Sequence, residues 1–257
     1  LSEYPVNAKR RQQLVPGLIG MSVHTDCVYL QEINRANPLN TVEPQVSSIR
    51  MVLQAIDFGQ LIADLKTGRR DEAEVSIRQA LAAVQRAGAD FLVVTANTVS
   101  AMLDDMADAV SVPVLDITKA VFSAAREQGL SRQGLLSTSQ TAKSGIYQDG
   151  AAEFGCSVIT PPAGIAEAVD EAIFQRLIRG ICIEQDAKTI LDAVSWFKSQ
   201  GADSVILGCT DMTLLAEQFT LSPLPLLDST VLHAHAAHYV ATTGDLDRYC
   251  VRYPAGA

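Results

Sequence analysis

The sequence predicts an α/β fold in two lobes related by a pseudo-twofold axis. Each lobe is a mostly parallel sheet flanked by helices, and the functional site lies in the cleft between them. Three observations carry that reading. Short apolar runs of strand length alternate with segments of helical period. The connections between them are short, as in parallel sheets covered on both faces. One stretch of chain also recurs 113 residues later, Gly88 to Gly201, with its landmarks in the same order.

Residues 1–14 are polar and lack periodicity, and they read as a mobile arm. A first strand ends in Gly17-Leu18-Ile19-Gly20 and leads into a glycine turn. Further strands are expected at Ile49–Gln54, Phe91–Val94, Val112–Leu115, Gly134–Leu136, Ser157–Thr160, Val205–Leu207 and Leu224–Leu227. Ala73, Ile77, Ala80, Leu81 and Val84 mark one face of a helix over 72–87, and Ile190, Val194 and Phe197 one face of a helix over 184–199. Lobe 1 then covers 15–118 and lobe 2 covers 119–228, with a helix over 229–244 packing back on lobe 1 and 245–257 as a tail.

In the repeat, Gly88-Ala89-Asp90 precedes the strand Phe91–Val94 and the turn Thr95-Ala96-Asn97-Thr98, while Gly201-Ala202-Asp203 precedes Ser204–Leu207 and Gly208-Cys209-Thr210-Asp211. Each copy continues to a second strand, Pro113-Val114-Leu115-Asp116-Ile117-Thr118 in one and Pro225-Leu226-Leu227-Asp228-Ser229-Thr230 in the other. Ala96 and Cys209 therefore fall at equivalent places, just past the carboxyl ends of equivalent strands, where parallel sheets bind ligands. Across a pseudo-twofold axis they would look at opposite faces of one ligand.

A formal charge of −9 argues against nucleic acid and anionic membranes as partners. It leaves room for a small carboxylic acid or amino acid, which local backbone N–H groups can hold. No window is long and apolar enough for a membrane span. The five cysteines are scattered, without C-x-x-C spacing, which fits a reducing cytoplasmic setting and gives no metal site. Cys27 and Cys182 fall in helix-like stretches, Cys156 begins a strand and Cys250 lies in the tail. Cys209 stands apart because it leaves an apolar strand and opens a helix, whose N-terminus favours a thiolate.

Gly208-Cys209-Thr210-Asp211 resembles the second catalytic motif of the aspartate/glutamate racemase superfamily. Pro225–Thr230 with Val231-Leu232-His233-Ala234 resembles that family's closing strand and helix. Gly17–Ser22 is similar to its first loop, one glycine short, and Leu135–Thr138 and Thr141–Tyr147 to the start of its second lobe. The resemblance implies an isomerase without pyridoxal phosphate or other cofactor, acting as a homodimer. In such enzymes two residues, usually cysteines, flank the α-carbon; one takes a proton while the other supplies one to the opposite face. It further implies that Asn97, Thr98 and Thr210 grip the substrate carboxylate, and that Ser22, Gln54, Thr138, Thr141 and His233 line the cleft.

The sequence departs from the family pattern at Ala96, where Cys or Thr is usual and where alanine has no proton to exchange. Three readings follow. The residue disables a racemase by substitution; or the chemistry is one-sided, as in a single-cysteine lyase that decarboxylates a small dicarboxylic acid; or another base substitutes, with His24 first in chemical fitness. A non-catalytic carboxylate-binding protein is the alternative outside enzymology. Glu167 occupies the region where aspartate-specific relatives tend to carry a basic residue, which admits neutral or even cationic substrates; Arg50 and Lys143 are further possible carboxylate partners. His233, His235 and His238 form H-x-H-x-x-H, but on a helix the outer two lie about 140° apart, against a metal site. Met102, Leu103 and Met106 suit either a dimer face or the core.

Overall fold

The computed structural model describes residues 13–35 and 48–253. Of the expected arm only residues 13 and 14 fall within these, and the Leu14 N–H donates to the Ala241 carbonyl at 3.0 Å. In order, the elements are β1 (Pro16–Gly20), α1 (Val23–Arg35), β2 (Val52–Ala55), α2 (Phe58–Lys66), α3 (Arg70–Arg86), β3 (Phe91–Val94), α4 (Asn97–Ser100), β4 (Val114–Leu115) and α5 (Ile117–Glu127). There follow β5 (Arg132–Leu136), α6 (Ser139–Ser144), α7 (Ile146–Glu153), β6 (Ser157–Ile159), α8 (Ala163–Gln175), α9 (Glu184–Ser199), β7 (Ser204–Leu207), β8 (Leu226–Asp228), α10 (Ser229–Thr243) and β9 (Cys250–Val251). Short 3-10 segments cover Leu103–Ala109, Leu177–Arg179 and Thr210–Phe219.

Among the described residues the strands form two sheets, β2-β1-β3-β4-β9 and β6-β5-β7-β8. All pairings are parallel except β4 with β9. Without β9 the two orders are the same, and the registers agree: Gly17 faces Leu92 in one sheet as Gly134 faces Val205 in the other. The central strands of each sheet, β3 and β7, are buried on both faces by alternating side chains. Leu92 and Val94 pack on α3, while Phe91 and Val93 pack with Tyr29 and Ile33 of α1 and Ala237 and Val240 of α10. In the second sheet Val205 and Leu207 face α8 and α9, and Ile206 faces α5 and α7.

The motifs of the repeat are structural fasteners. The Asp90 carboxylate accepts from the Val15 N–H at 2.7 Å, and Asp203 from the N–H groups of Ser131 at 2.7 Å and Arg132 at 2.9 Å, tying each central strand to the start of its neighbour. Asp116 and Asp228 cap α5 and α10 in the same way, each accepting from two backbone N–H groups of the first turn. Gly17 and Gly134 let a helix lie close on the sheet; a β-carbon on Gly17 would come within 2.6 Å of the Ala89 Cβ, and one on Gly134 would strike the Phe197 ring.

Several expectations need adjusting. The second strand begins at Val52, because pairing with β1 starts there, while the Ile49 N–H is taken by the Asn34 side chain at 2.9 Å. Cys182 lies in the loop before α9, where the helix-like pattern stops at Gly180 with φ of 71°. Cys156 directly precedes β6. The tail is partly ordered into the sheet, since Cys250 and Val251 pair with Leu115 and Val114 as β9. Met102, Leu103 and Met106 are buried in the core over α3 and so offer no surface to a partner.

Candidate active site

The turns after β3 in one sheet and after β5 and β7 in the other line one cavity of about 80 Å³. Ala96 and Cys209 each occupy the extended residue before a helical turn, at φ/ψ of −148°/130° and −128°/123°. Both line the cavity, together with Asn97, Thr98, Thr138, Thr141 and Thr210. Gly208 lies behind Cys209, packed so tightly that a β-carbon there would meet the Leu135 side chain at 2.8 Å.

The polar wall is held by short bonds. Thr98 Oγ1 lies 2.9 Å from Thr141 Oγ1, and Thr138 Oγ1 donates to Thr141 Oγ1 at 3.1 Å. Thr138 also caps α6, accepting from the Thr141 N–H at 3.2 Å. Asn97 is fixed from behind: its Oδ1 accepts from the Tyr147 hydroxyl at 2.6 Å, and its Nδ2 donates to Ser229 Oγ at 3.2 Å. Thr210 Oγ1 donates to the Thr95 carbonyl at 3.3 Å, linking the two copies of the motif. These hydroxyls are buried, or half-buried at Thr98, yet able to rotate, so they can turn a proton toward an entering oxyanion.

Cys209 is buried, and burial pushes its thiol well above the usual thiol range, with the Asp211 charge acting the same way. The N–H groups of Asp211 and Met212 pull it down without prevailing. The expectation of a helix-stabilised thiolate is thus reversed: the segment after Cys209 is 3-10, and removal of the sulfur from water outweighs its N-terminal amides. Asp211 also lines the cavity; burial raises its carboxyl, while Ser22 and Thr25 hold it down, the latter through a 3.0 Å bond from its hydroxyl. Asp26 is raised too, first by burial, though it accepts from Thr95 Oγ1 at 2.8 Å and from the Met21 N–H at 3.2 Å.

Other expected residues stand elsewhere. Ser22 is buried beside Asp211, outside the cavity wall, with a hydroxyl that makes no well-formed hydrogen bond. His24, half-buried in the first turn of α1, packs its ring on Gly180 and is not among the cavity-lining residues. Gln54 is exposed on the edge strand and donates to the Ala55 carbonyl at 3.0 Å, because register turns it away from the strand ends. His233 lies wholly inside, between the Tyr29 hydroxyl at 2.8 Å and the Leu115 carbonyl at 3.1 Å, and not in the cavity. His235 pairs with Glu32 and His238 with the Ile33 carbonyl, so the three histidines share no partner. Arg50, Lys143 and Glu167 are exposed and do not line the cavity.

The family model described as Asp/Glu/Hydantoin racemase matches residues 18–237. The chain belongs to that family. Glutamate racemase of Shewanella woodyi is 30% identical over 193 residues, covering 72% of this chain and 71% of that protein. A Yersinia pestis structure assigned to the Asp/Glu racemases is similar with a TM-score of 0.75 at 30% identity, over 89% of this chain and 99% of that one. An aspartate racemase homologue from Pyrococcus horikoshii shares the fold at 24% identity and a TM-score of 0.70, again over 89% and 99%. Among the described residues no helix is long and apolar enough to cross a membrane.

One wall of the cavity escaped the family motifs. α2 supplies Phe58, Leu61, Ile62 and Leu65, and α8 with the turn after it supplies Ile173, Phe174 and Ile178. The 58/61/62/65 spacing is visible in the sequence, but an apolar helical stripe reads first as core. Lys66 closes this side, its ammonium 4.1 Å from the centroid of the Phe174 ring.

Proposed function

We propose that the protein is a cofactor-independent isomerase of the racemase type, moving a proton at the α-carbon of a small carboxylic acid or amino acid, with Cys209 as the acid/base. The observation that carries this reading is that Cys209 shares its cavity with a cluster of amide and hydroxyl groups, Asn97, Thr98, Thr138, Thr141 and Thr210. These groups would hold the substrate carboxylate, so that the negative charge formed on removing the α-proton spreads into an oxyanion already hydrogen-bonded. Cys209 exchanges the proton on one face. The position equivalent to it, Ala96, has nothing to exchange, so exchange of one enantiomer should outrun inversion. The lobes 15–118 and 119–228, with α10 returning to the first, and a homodimer complete the reading.

A second reading draws on the same two positions. A single thiol held in its protonated form beside an alanine suits protonation of an enolate left by loss of carbon dioxide from a small dicarboxylic acid. Solvent-deuterium exchange on L- and D-amino acids and malonate-type acids, followed by NMR, separates the two. Cys209-dependent exchange at the α-carbon supports the isomerase; Cys209-dependent release of carbon dioxide without it supports the lyase. Binding with neither would leave a carboxylate-binding protein.

A further inference from the structure

The two walls of the cavity ask for different chemistry. Where the strands end, Asn97 and the threonines present hydrogen-bonding groups. The wall from α2 and α8 is hydrocarbon: Leu61 and Ile173 are buried within it, and Phe58, Ile62, Leu65 and Phe174 are half-buried. Among the described residues lining the cavity, the ionisable side chains are Lys66, Cys209 and Asp211. Lys66 is exposed, sits at the C-terminal end of α2 and already rests on the Phe174 ring, joining α2 to α8 over the cavity rim. Asp211 is buried and acidic, the wrong sign for a second anionic group.

A side-chain carboxylate lodged against this wall would lose its water and gain a hydrogen bond only by drawing the Lys66 ammonium off the Phe174 ring, whereas the rest of the wall returns none. An aliphatic or aromatic side chain gains from the same burial. We infer that the substrate carries an uncharged, apolar side chain held between α2 and α8, rather than the acidic side chain of aspartate or glutamate. The inference rests on the reading of the Cys209 cavity as the substrate site.

Leucine and aspartate, nearly equal in shape, make the direct comparison, with asparagine as the uncharged polar control. Binding of both enantiomers of each is measured by isothermal titration on the intact chain, and α-proton exchange is followed separately with and without Cys209→Ser. Leucine should bind at least about tenfold more tightly than aspartate or asparagine. Ile62→Arg, at a half-buried position that a longer polar side chain can leave toward solvent, should reverse the order by bringing a cation to the wall. Lys66→Met should keep leucine ahead of aspartate.

Aspartate ahead of leucine, with that advantage lost in Lys66→Met, overturns the inference and makes Lys66 the partner of an acidic side chain; Cys209-dependent exchange of aspartate would then leave the isomerase reading intact. Leucine bound ahead of aspartate but exchanged by no variant keeps the inference and removes the isomerase reading. Binding of none of the three acids at millimolar concentration also overturns it.

Discussion

The half of the chain from Gly17 to Asp116 and the half from Gly134 to Asp228 are built on one plan, and the comparison shows which parts of that plan are scaffold. Both place a close-packing glycine on the first strand, an aspartate that fastens the central strand, and an aspartate that caps the helix after the last. Both bring an extended residue to the same address past the central strand, with nearly the same backbone angles. At that address one half has Cys209 and the other Ala96. The backbone setting is therefore duplicated, while the sulfur is present once. Geometry and chemistry have separated, and each can be altered without the other.

The most severe way to break the comparison is to remove the single sulfur. Cys209→Ser should lower α-proton exchange by about 10² to 10⁴-fold, the usual worth of a positioned acid/base group, while thermal unfolding moves little because serine is nearly isosteric. Unchanged exchange would remove Cys209 from the reaction. The converse experiment restores symmetry. Ala96 sits in extended backbone that accepts any side chain, so Ala96→Cys should fold and supply a proton to the opposite face. Inversion, followed by chiral chromatography, should rise by about 10²-fold over the parent. A variant that folds and still only exchanges would show that position 96 does not face the α-carbon.

What the sequence made legible follows the same division. The buried faces of α3 and α9 stood out because Ala73, Ile77, Leu81 and Val84, over about three turns, and Ile190, Val194 and Phe197, over about two, recur at helical period. The repeat was legible because its anchors are fasteners, and fasteners require particular residue types. Cavity membership was legible for residues next to those anchors, Ala96, Asn97 and Thr98 on one side and Cys209 and Thr210 on the other, and, through the family resemblance, for Thr138 and Thr141. Gln54 and His233 sit near strand ends in sequence, but β-register and the rotation of α10 turn them to other surroundings. The α2 wall and Lys66 depend on how α2 lies against α8, a long-range contact that no local pattern encodes. Cys250 looked like tail because a two-residue strand has no period to read.

A smaller effect sharpens the comparison through α5 and α10, which the two equivalent aspartates cap. Three residues after Thr118 comes Val121, and three after Thr230 comes His233, both fully buried. Burial holds the His233 imidazole neutral, lowering its pKa from 6.5 to about 4, against the Leu115 carbonyl bond, which raises it. The unfolded chain therefore takes up a proton that the folded one refuses. Stability from this group is complete above about pH 6.5 and is lost as pH falls toward 4, on the order of 3 kcal/mol at the end. Asp26, Asp211 and Asp228, whose carboxyls burial raises, act in the opposite sense as they protonate. The test is thus the difference in denaturation slope between parent and His233→Gln from pH 7 to 4.5. The parent should lose stability faster; parallel slopes would mean that the imidazole takes up its proton as readily in the fold as in the unfolded chain.

The finest distinction lies between the two strand fasteners. Asp90 accepts one backbone N–H, from Val15, and returns its own N–H to the Val15 carbonyl at 2.8 Å. Asp203 makes the matching return bond to Arg132 at 2.9 Å but accepts two backbone N–H groups, from Ser131 and Arg132. Removing either carboxylate leaves the return bond in place, so the difference between Asp203→Ala and Asp90→Ala reads the second backbone bond at Asp203 together with the bonds it accepts from Ser204 Oγ at 2.9 Å and Ser131 Oγ at 3.4 Å. It should be about 1 kcal/mol, with Asp203→Ala the less stable by urea denaturation at neutral pH. The urea dependence itself should be the same in both, since neither change alters the surface buried on folding. Equal losses would mean that one N–H at each start of strand does the fastening and that the further bonds at Asp203 only replace water.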